Sequence, residues 1–151
     1  MKTINPVSIL MLVTCISFIF LINVHAQSTT VLSSYLNIKD ALVKTNPKTA
    51  GVAAGELVSL LNGKTDELSK KMLVDAKVIS ENSDVKMQRS HFDQLSQNVY
   101  TYVKKSGQKS GTIYKQYCPM ANAIWLAGEK EINNPYFGDK MLHCGCVKEE
   151  L

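Results

Sequence analysis

Arginine is nearly missing from this chain. Arg89 is the single arginine among 17 basic residues, and the formal net charge is only +4. So weak and lysine-dominated an excess does not make a nucleic-acid-binding surface. The motifs of the common catalytic classes are missing too. There is no Ser/His/Asp order, no phosphate-cradling glycine loop and no paired-carboxylate motif, and Glu129, Glu131 and Asp139 read as surface and turn charges. The expectation is therefore a protein that is not an enzyme. Internal repeats and low-complexity linkers are absent, which excludes a solenoid or a string of modules. Cysteine is missing from residue 16 through residue 117, and Trp125 is the only tryptophan. Whatever sulfur chemistry the body of the protein performs must sit in its last third.

What is present begins with a leader. Met1-Lys2 is a short basic start, Val7 to Val24 is an apolar run, and Val24-His25-Ala26 is a small-x-small cleavage site. That is the build of a secretory signal peptide. The expectation is a cleaved segment 1–26, a periplasmic or secreted product, and no membrane association after cleavage. Leu12-Val13-Thr14-Cys15 resembles a lipoprotein box, but six apolar residues follow within the run, which argues against lipidation. The mature remainder, 27–151, suffices for one core. Export also bears on Cys118, Cys144 and Cys146, an odd number in an oxidising compartment. One disulfide plus a free thiol fits that count, and so does a metal site.

Residues 27–107 carry helical periodicity. Val31, Tyr35, Ile38 and Leu42 mark one face of a first helix. Asn46-Pro47 is an N-cap followed by proline at the first helical position. It opens a second helix with Ala53, Leu57, Leu60 and Leu61 inward and Asn62-Gly63 as its stop. A third helix after Thr65 turns Leu68, Met72, Ala76 and Ile79 inward. Ser83 can cap a fourth, with Val85, Phe92, Leu95, Val99 and Val103 as its stripe and an end near Ser106-Gly107. The fold class expected is mainly α, an up-down four-helix bundle followed by an irregular C-terminal segment, 108–151, with short strands packed on it.

In that segment Thr112 to Tyr117 alternates like a strand. Ile124-Trp125-Leu126 and Lys140-Met141-Leu142 are candidates for two more, separated by the turn chemistry of Asn133-Asn134-Pro135 and Phe137-Gly138-Asp139. Thiolates and thioethers are the soft ligands that select Cu(I). Proline biases Cys118 to an extended conformation, in which Cys118 and Met120 point the same way. Alternation through Met141-Leu142-His143-Cys144-Gly145-Cys146 puts Met141 and His143 on one face and Cys144 and Cys146 on the other, unless Gly145 breaks it. A turn there lets Met141 and Cys144 reach Cys118. Cys144-Gly145-Cys146 also admits a redox pair. His91, one helical turn from Met87, is the bundle's one imidazole. It reads either as a solvated residue or as a ligand suited to copper in either oxidation state. Trp125 reads as a core anchor or as a cap over a bound cation.

Several blocks resemble a known family. Gln88-Arg89-Ser90-His91-Phe92-Asp93-Gln94-Leu95-Ser96, Tyr117-Cys118-Pro119-Met120-Ala121, Trp125-Leu126, and Glu131 through Gly145 with its Asn134-Pro135-Tyr136-Phe137-Gly138-Asp139-Lys140-Met141-Leu142 core are similar to an uncharacterised periplasmic domain. That domain occurs alone and at the C-terminus of heavy-metal (copper or silver) efflux adaptor subunits. The resemblance implies a helical domain linked to copper handling, with efflux adaptor or pump subunits as partners. Its matching soft residues are Cys118, Met120, Met141 and Cys144, with His91 in the helical block. Cys146 is extra to the pattern, and His143 stands where a small polar residue is usual. Either adds a ligand, or Cys144–Cys146 competes with Cys118–Cys144 for disulfide pairing. The expectation is a Cu(I)-binding chaperone or buffer, with His91, Cys118, Met120, Met141, Cys144 and Cys146 as candidate ligands. A disulfide-clamped interaction module without metal is the alternative, and a thiol oxidoreductase a third.

Overall fold

A computed structural model describes residues 29–107 and 111–151. The leader 1–26 and Cys15 lie outside the described residues. Among the described residues four helices come first: α1 (Val31–Val43), α2 (Pro47–Leu61), α3 (Glu67–Glu81) and α4 (Val85–Ser106). Among the described residues no helix is long and apolar enough to cross a membrane.

Each helix starts where a short polar side chain can take the first orphan backbone N–H groups. Thr30 and Ser33 form a reciprocal capping box on α1, with Ser33 N–H donating to Thr30 Oγ1 at 3.1 Å and Thr30 N–H to Ser33 Oγ at 2.7 Å. Asn46 caps α2 ahead of Pro47, as its sequence implies. Asp66 caps α3. On α4 the cap is Asp84 rather than the expected Ser83: Lys86 N–H donates to Asp84 Oδ1 at 2.9 Å. Either residue has the right oxygen, but the carboxylate adds a favourable charge at the helix's positive end. Gly107, at φ 63°, closes α4 in the left-handed conformation.

The apolar stripes face inward nearly as read. Val31, Tyr35, Ile38, Leu42, Ala53, Leu57, Leu61, Met72, Ala76, Ile79, Phe92, Leu95, Val99 and Val103 are buried in one cluster. Leu60, Leu68 and Val85 sit at its half-buried rim instead. One glutamine and one arginine side chain tie the helix ends together. Gln88 Nε2 donates to the Pro47, Ile79 and Asn82 carbonyls, joining α2 and α3 to α4. Arg89, the lone arginine, donates to Leu42 O, Thr45 Oγ1 and Pro135 O. It is a clamp between the end of α1 and the tail.

The tail forms a three-stranded antiparallel sheet of order β2-β1-β3: β1 (Tyr114–Cys118), β2 (Ala123–Ala127) and β3 (Cys146–Glu150). The first two strands lie within two residues of their expected places. The third does not. Lys140-Met141-Leu142 is no strand: Gly138–Lys140 is a 3₁₀ turn, and a further turn carries the chain to Cys144. Asn134 imposes this shape. Its N–H donates to Leu142 O, its carbonyl accepts from Gly138 N–H, and its Oδ1 accepts from Tyr136 and Phe137 N–H. The true third strand, Cys146-Val147-Lys148-Glu149-Glu150, alternates exposed and half-buried residues. Its lysine and glutamates hid it from a reading based on β-forming residues.

Sheet and helices share an aromatic seam. Tyr35 stacks on Phe92 with centroids 5.2 Å apart, Phe92 meets Tyr136 at 5.9 Å, and Tyr136 and Trp125 form a T-shaped pair at 6.1 Å. Tyr35 Oη accepts the Leu126 N–H and pairs with Ser96 Oγ, whose own hydroxyl bonds Phe92 O. Burial pushes the Tyr35 phenol far above its ordinary range, so it stays a neutral donor. Lys39, almost wholly buried on α1, reaches Glu129 in the tail as an ion pair.

Candidate functional site

Cys118 ends β1, and its sheet neighbours decide which way it faces. Paired residues share a face and successive residues alternate. The register Gln116↔Trp125 and Cys118↔Ala123 therefore puts Cys118, Gln116 and Trp125 on one side. That side is roofed by the segment 128–145. Gln116 Nε2 donates to the carbonyls of Glu129, Lys130 and Glu131, fastening the roof. Gly145 seats it: a Cβ there would lie 2.9 Å from Trp125 Cη2, 3.0 Å from Tyr117 O and 3.1 Å from Ile132 Cγ2. Its φ of +156° would also strain any side chain. Under this roof Cys118 is fully buried, and Trp125 is a core anchor rather than an exposed cation cap.

Cys144 is delivered to the same place from the other side. The turn from Met141 is closed by Cys144 N–H donating to Met141 O at 3.0 Å. Asn134 Nδ2 then holds the Cys144 carbonyl at 2.7 Å. The result is a Cys118 Sγ to Cys144 Sγ separation of 3.8 Å between residues 26 apart in sequence. The bend that joins them lies in the Met141–Cys144 turn, ahead of Gly145.

The hairpin loop Pro119–Asn122 supplies the site's backbone donors. Asn122 takes the left-handed conformation at φ 49°, and its Oδ1 accepts from Tyr117 Oη. The loop aims Ala121 N–H at Cys118 Sγ, 3.4 Å away, and the Met120 backbone acts to lower the Cys144 thiol pKa. Such donors favour a sulfur that carries negative charge. Desolvation acts against them and dominates, with the adjacent Cys118 thiol adding to it, so the Cys144 thiol lies above its ordinary value. Two metal–thiolate bonds of ~2.3 Å each span at most about 4.6 Å, so sulfurs at this separation can close on one ion. They are equally placed to react with each other.

The other expected ligands are distributed differently. Met120 stands at the loop tip with 66% of its surface exposed. Met141 is half-buried in the turn that carries Cys144. Cys146 pairs with Tyr117 in the β1–β3 register, so it lies on the sheet face opposite Cys118 and is exposed. Gly145 breaks the alternation that would have kept it beside Cys144. His91 commits Nδ1 to Asp75 Oδ1 at 3.0 Å, across α3 and α4. His143, outside the expected set, gives Nδ1 to Ile132 O at 2.9 Å and leaves Nε2 free. Among the described residues no group of three or more His, Cys, Asp or Glu side chains is arranged to hold a metal. Gln116, Asn134 and the Met120 and Ala121 amides were missed from sequence. Only the Asn133-Asn134-Pro135 turn signal pointed toward any of them.

Among the described residues, four helices and a small sheet that brings two thiols together define the class: a mainly helical domain. The chain belongs to the family described as a protein of unknown function (DUF3347), matched over residues 31–111. No curated protein and no solved structure matches it. The matched span covers the four helices and stops before β1, so the thiol pair lies beyond it.

Proposed function

We propose that this chain is an exported, periplasmic Cu(I)-binding protein, a chaperone or buffer tied to heavy-metal efflux, with Cys118 and Cys144 as its thiolate ligands. In this reading the helices are an up-down bundle serving as scaffold, and efflux adaptor or pump subunits are the partners. The observation that carries it is the 3.8 Å approach of two sulfurs from distant parts of the chain, with the Ala121 N–H trained on one of them. Two soft thiolates match a soft monovalent ion, copper or silver. The exposed thioether of Met120 and the half-buried one of Met141 are the nearest in sequence to extend the set. The resemblance of the Tyr117–Ala121 and Asn134–Leu142 blocks to the efflux-linked domain adds copper specifically. Cys146 and His91 take no part unless the sheet or the α3–α4 pairing rearranges.

The deciding experiment is titration of the reduced protein with Cu(I) against a chromophoric chelator. One tightly held ion per chain is expected, abolished by Cys118→Ser and weakened by Met120→Leu. Failure to compete, or binding indifferent to Cys118→Ser, sinks the reading. Ligation must displace thiol protons, so affinity should fall on acidification. The same sulfur contact favours one other reading, a tail clamped by a Cys118–Cys144 disulfide on an interaction module without metal. Mass measurement after alkylation separates the two. A wholly bridged protein that stays metal-free when copper is offered is the second.

A further inference from the structure

We propose that Cys144 is a thiol–disulfide exchange site and Cys118 its buried resolving sulfur, so that a disulfide-bearing oxidant and the metal compete for one pair of sulfurs. The competition with metal rests on the copper reading above; the exchange chemistry does not.

Exchange proceeds by attack of one sulfur on another, and its order is set by access. The two cysteines differ in this respect. Cys118 is fully buried beneath the roof fastened by Gln116 and seated by Gly145, whereas Cys144 is only half-buried. An external disulfide RSSR therefore meets Cys144 first. The Cys144 sulfur, its proton lost to solvent, attacks one sulfur of RSSR. A Cys144–SR bond forms and RS⁻ departs. Cys118, 3.8 Å away, then attacks Cys144 Sγ. The Cys118–Cys144 bond forms, the Cys144–SR bond breaks, and a second RS⁻ departs. The pair has lost two protons and two electrons, and the oxidant has become two RSH. The Ala121 N–H faces the Cys118 sulfur, which carries charge in the second step. Cys146 cannot serve as the resolving sulfur, because the Tyr117↔Cys146 register sets it on the opposite face from Cys118.

The consequence is exclusion. Bridged sulfurs are no longer thiolates, and of the soft groups near the pair in sequence there remain the thioethers of Met120 and Met141 and the thiol of Cys146 on the opposite sheet face. Oxidation should thus release the metal, and bound metal should block oxidation.

Glutathione disulfide is a suitable probe for the full chain carrying Cys146→Ser, with products located by peptide mapping to keep Cys15 apart. The expected result is a transient adduct on Cys144, followed by the Cys118–Cys144 bridge. In Cys118→Ser the Cys144 adduct should persist, and in Cys144→Ser no adduct should form on Cys118. Should Cys118→Ser fail to fold, alkylation of the native reduced chain gives the same answer, with Cys144 labelled before Cys118. The bridged form should bind Cu(I) more weakly by over the ~100-fold that loss of an outer-shell partner costs. An adduct or label appearing first on Cys118, or no bridge at all, overturns the exchange order. A bridge that leaves Cu(I) affinity unchanged overturns the exclusion. If reduced protein binds no Cu(I), the proposed function fails, while adduct mapping still decides the exchange site.

Discussion

The helices and the tail of this protein are held by different physics. Among the helices the core is apolar and collective: Leu42, Leu57, Met72, Ile79 and Leu95 are each fully buried among many neighbours. The tail has far fewer such residues and depends on single polar groups with several partners each. Gln116 serves three carbonyls, Asn134 serves five backbone groups, and Arg89 bridges two segments. Apolar burial is non-directional and tolerates small shifts, whereas a hydrogen-bonded hub fixes positions. The comparison explains why the paired thiols are in the tail. A site that needs two sulfurs at one separation needs directional fixing, and the helices supply a base for it.

That contrast can be broken experimentally. Leu57→Ala, in the helical core, should cost about 2–5 kcal/mol, measured by denaturant unfolding. The order of Cys144 and Cys118 alkylation should not change. Gly145→Ala should cost less, about 1–3 kcal/mol for an overpacked site, yet should disturb the thiols more. Its Cβ meets Trp125, Tyr117 O and Ile132 at once, so the roof must lift and Cys118 should label faster. Unchanged Cys118 labelling would mean the roof is not what buries it. Asn134→Ala should cost about 1–3 kcal/mol through its orphaned backbone partners and should loosen the Cys144 turn, read as faster hydrogen exchange at Tyr136, Phe137 and Cys144.

The smallest effect concerns acid. Hydrogen bonds from Ser69 hold the Asp66 carboxyl below its usual value, and bonds from Lys104 and then Tyr100 do the same for Glu149. A depressed carboxyl contributes stability that is complete above its unfolded value, about 4, and is lost as pH falls through the folded value. Asp66 is exposed and Glu149 only half-buried, so the loss should be modest. Thermal melts should show a decline below about pH 5 that is shallower in Asp66→Asn. A steeper decline in that variant would contradict the assignment.

Much of the helical half was legible because local rules and burial agree there. The 3.6-residue stripes, Asn46-Pro47 and the Ser106-Gly107 end all announce themselves within a few residues. Ser83 in place of Asp84 was a one-residue miss between two competent caps. The tail was legible in composition and only partly in shape. β1 and β2 were found from their β-forming residues. β3 was not, because Val147 stands alone among charged neighbours and the strand exists by pairing with Tyr114–Tyr117. The Lys140–Leu142 stretch was assigned to a strand because Asn134's hold on its backbone is invisible without the fold.

For the sulfurs the division is sharper. Sequence alone picked out the candidates, since Cys118, Cys144 and Cys146, three of the four cysteines, lie in one segment together with Met120 and Met141. It could not determine which of them meet. Cys118 and Cys144 come together because a sheet face, a glycine that admits Trp125, and an asparagine-organised turn converge on one spot. Cys146, two residues further on, is carried to the opposite face by strand register. Proximity between sulfurs 26 residues apart is a property of packing and pairing, and those are decided only when the whole tail closes on the helices.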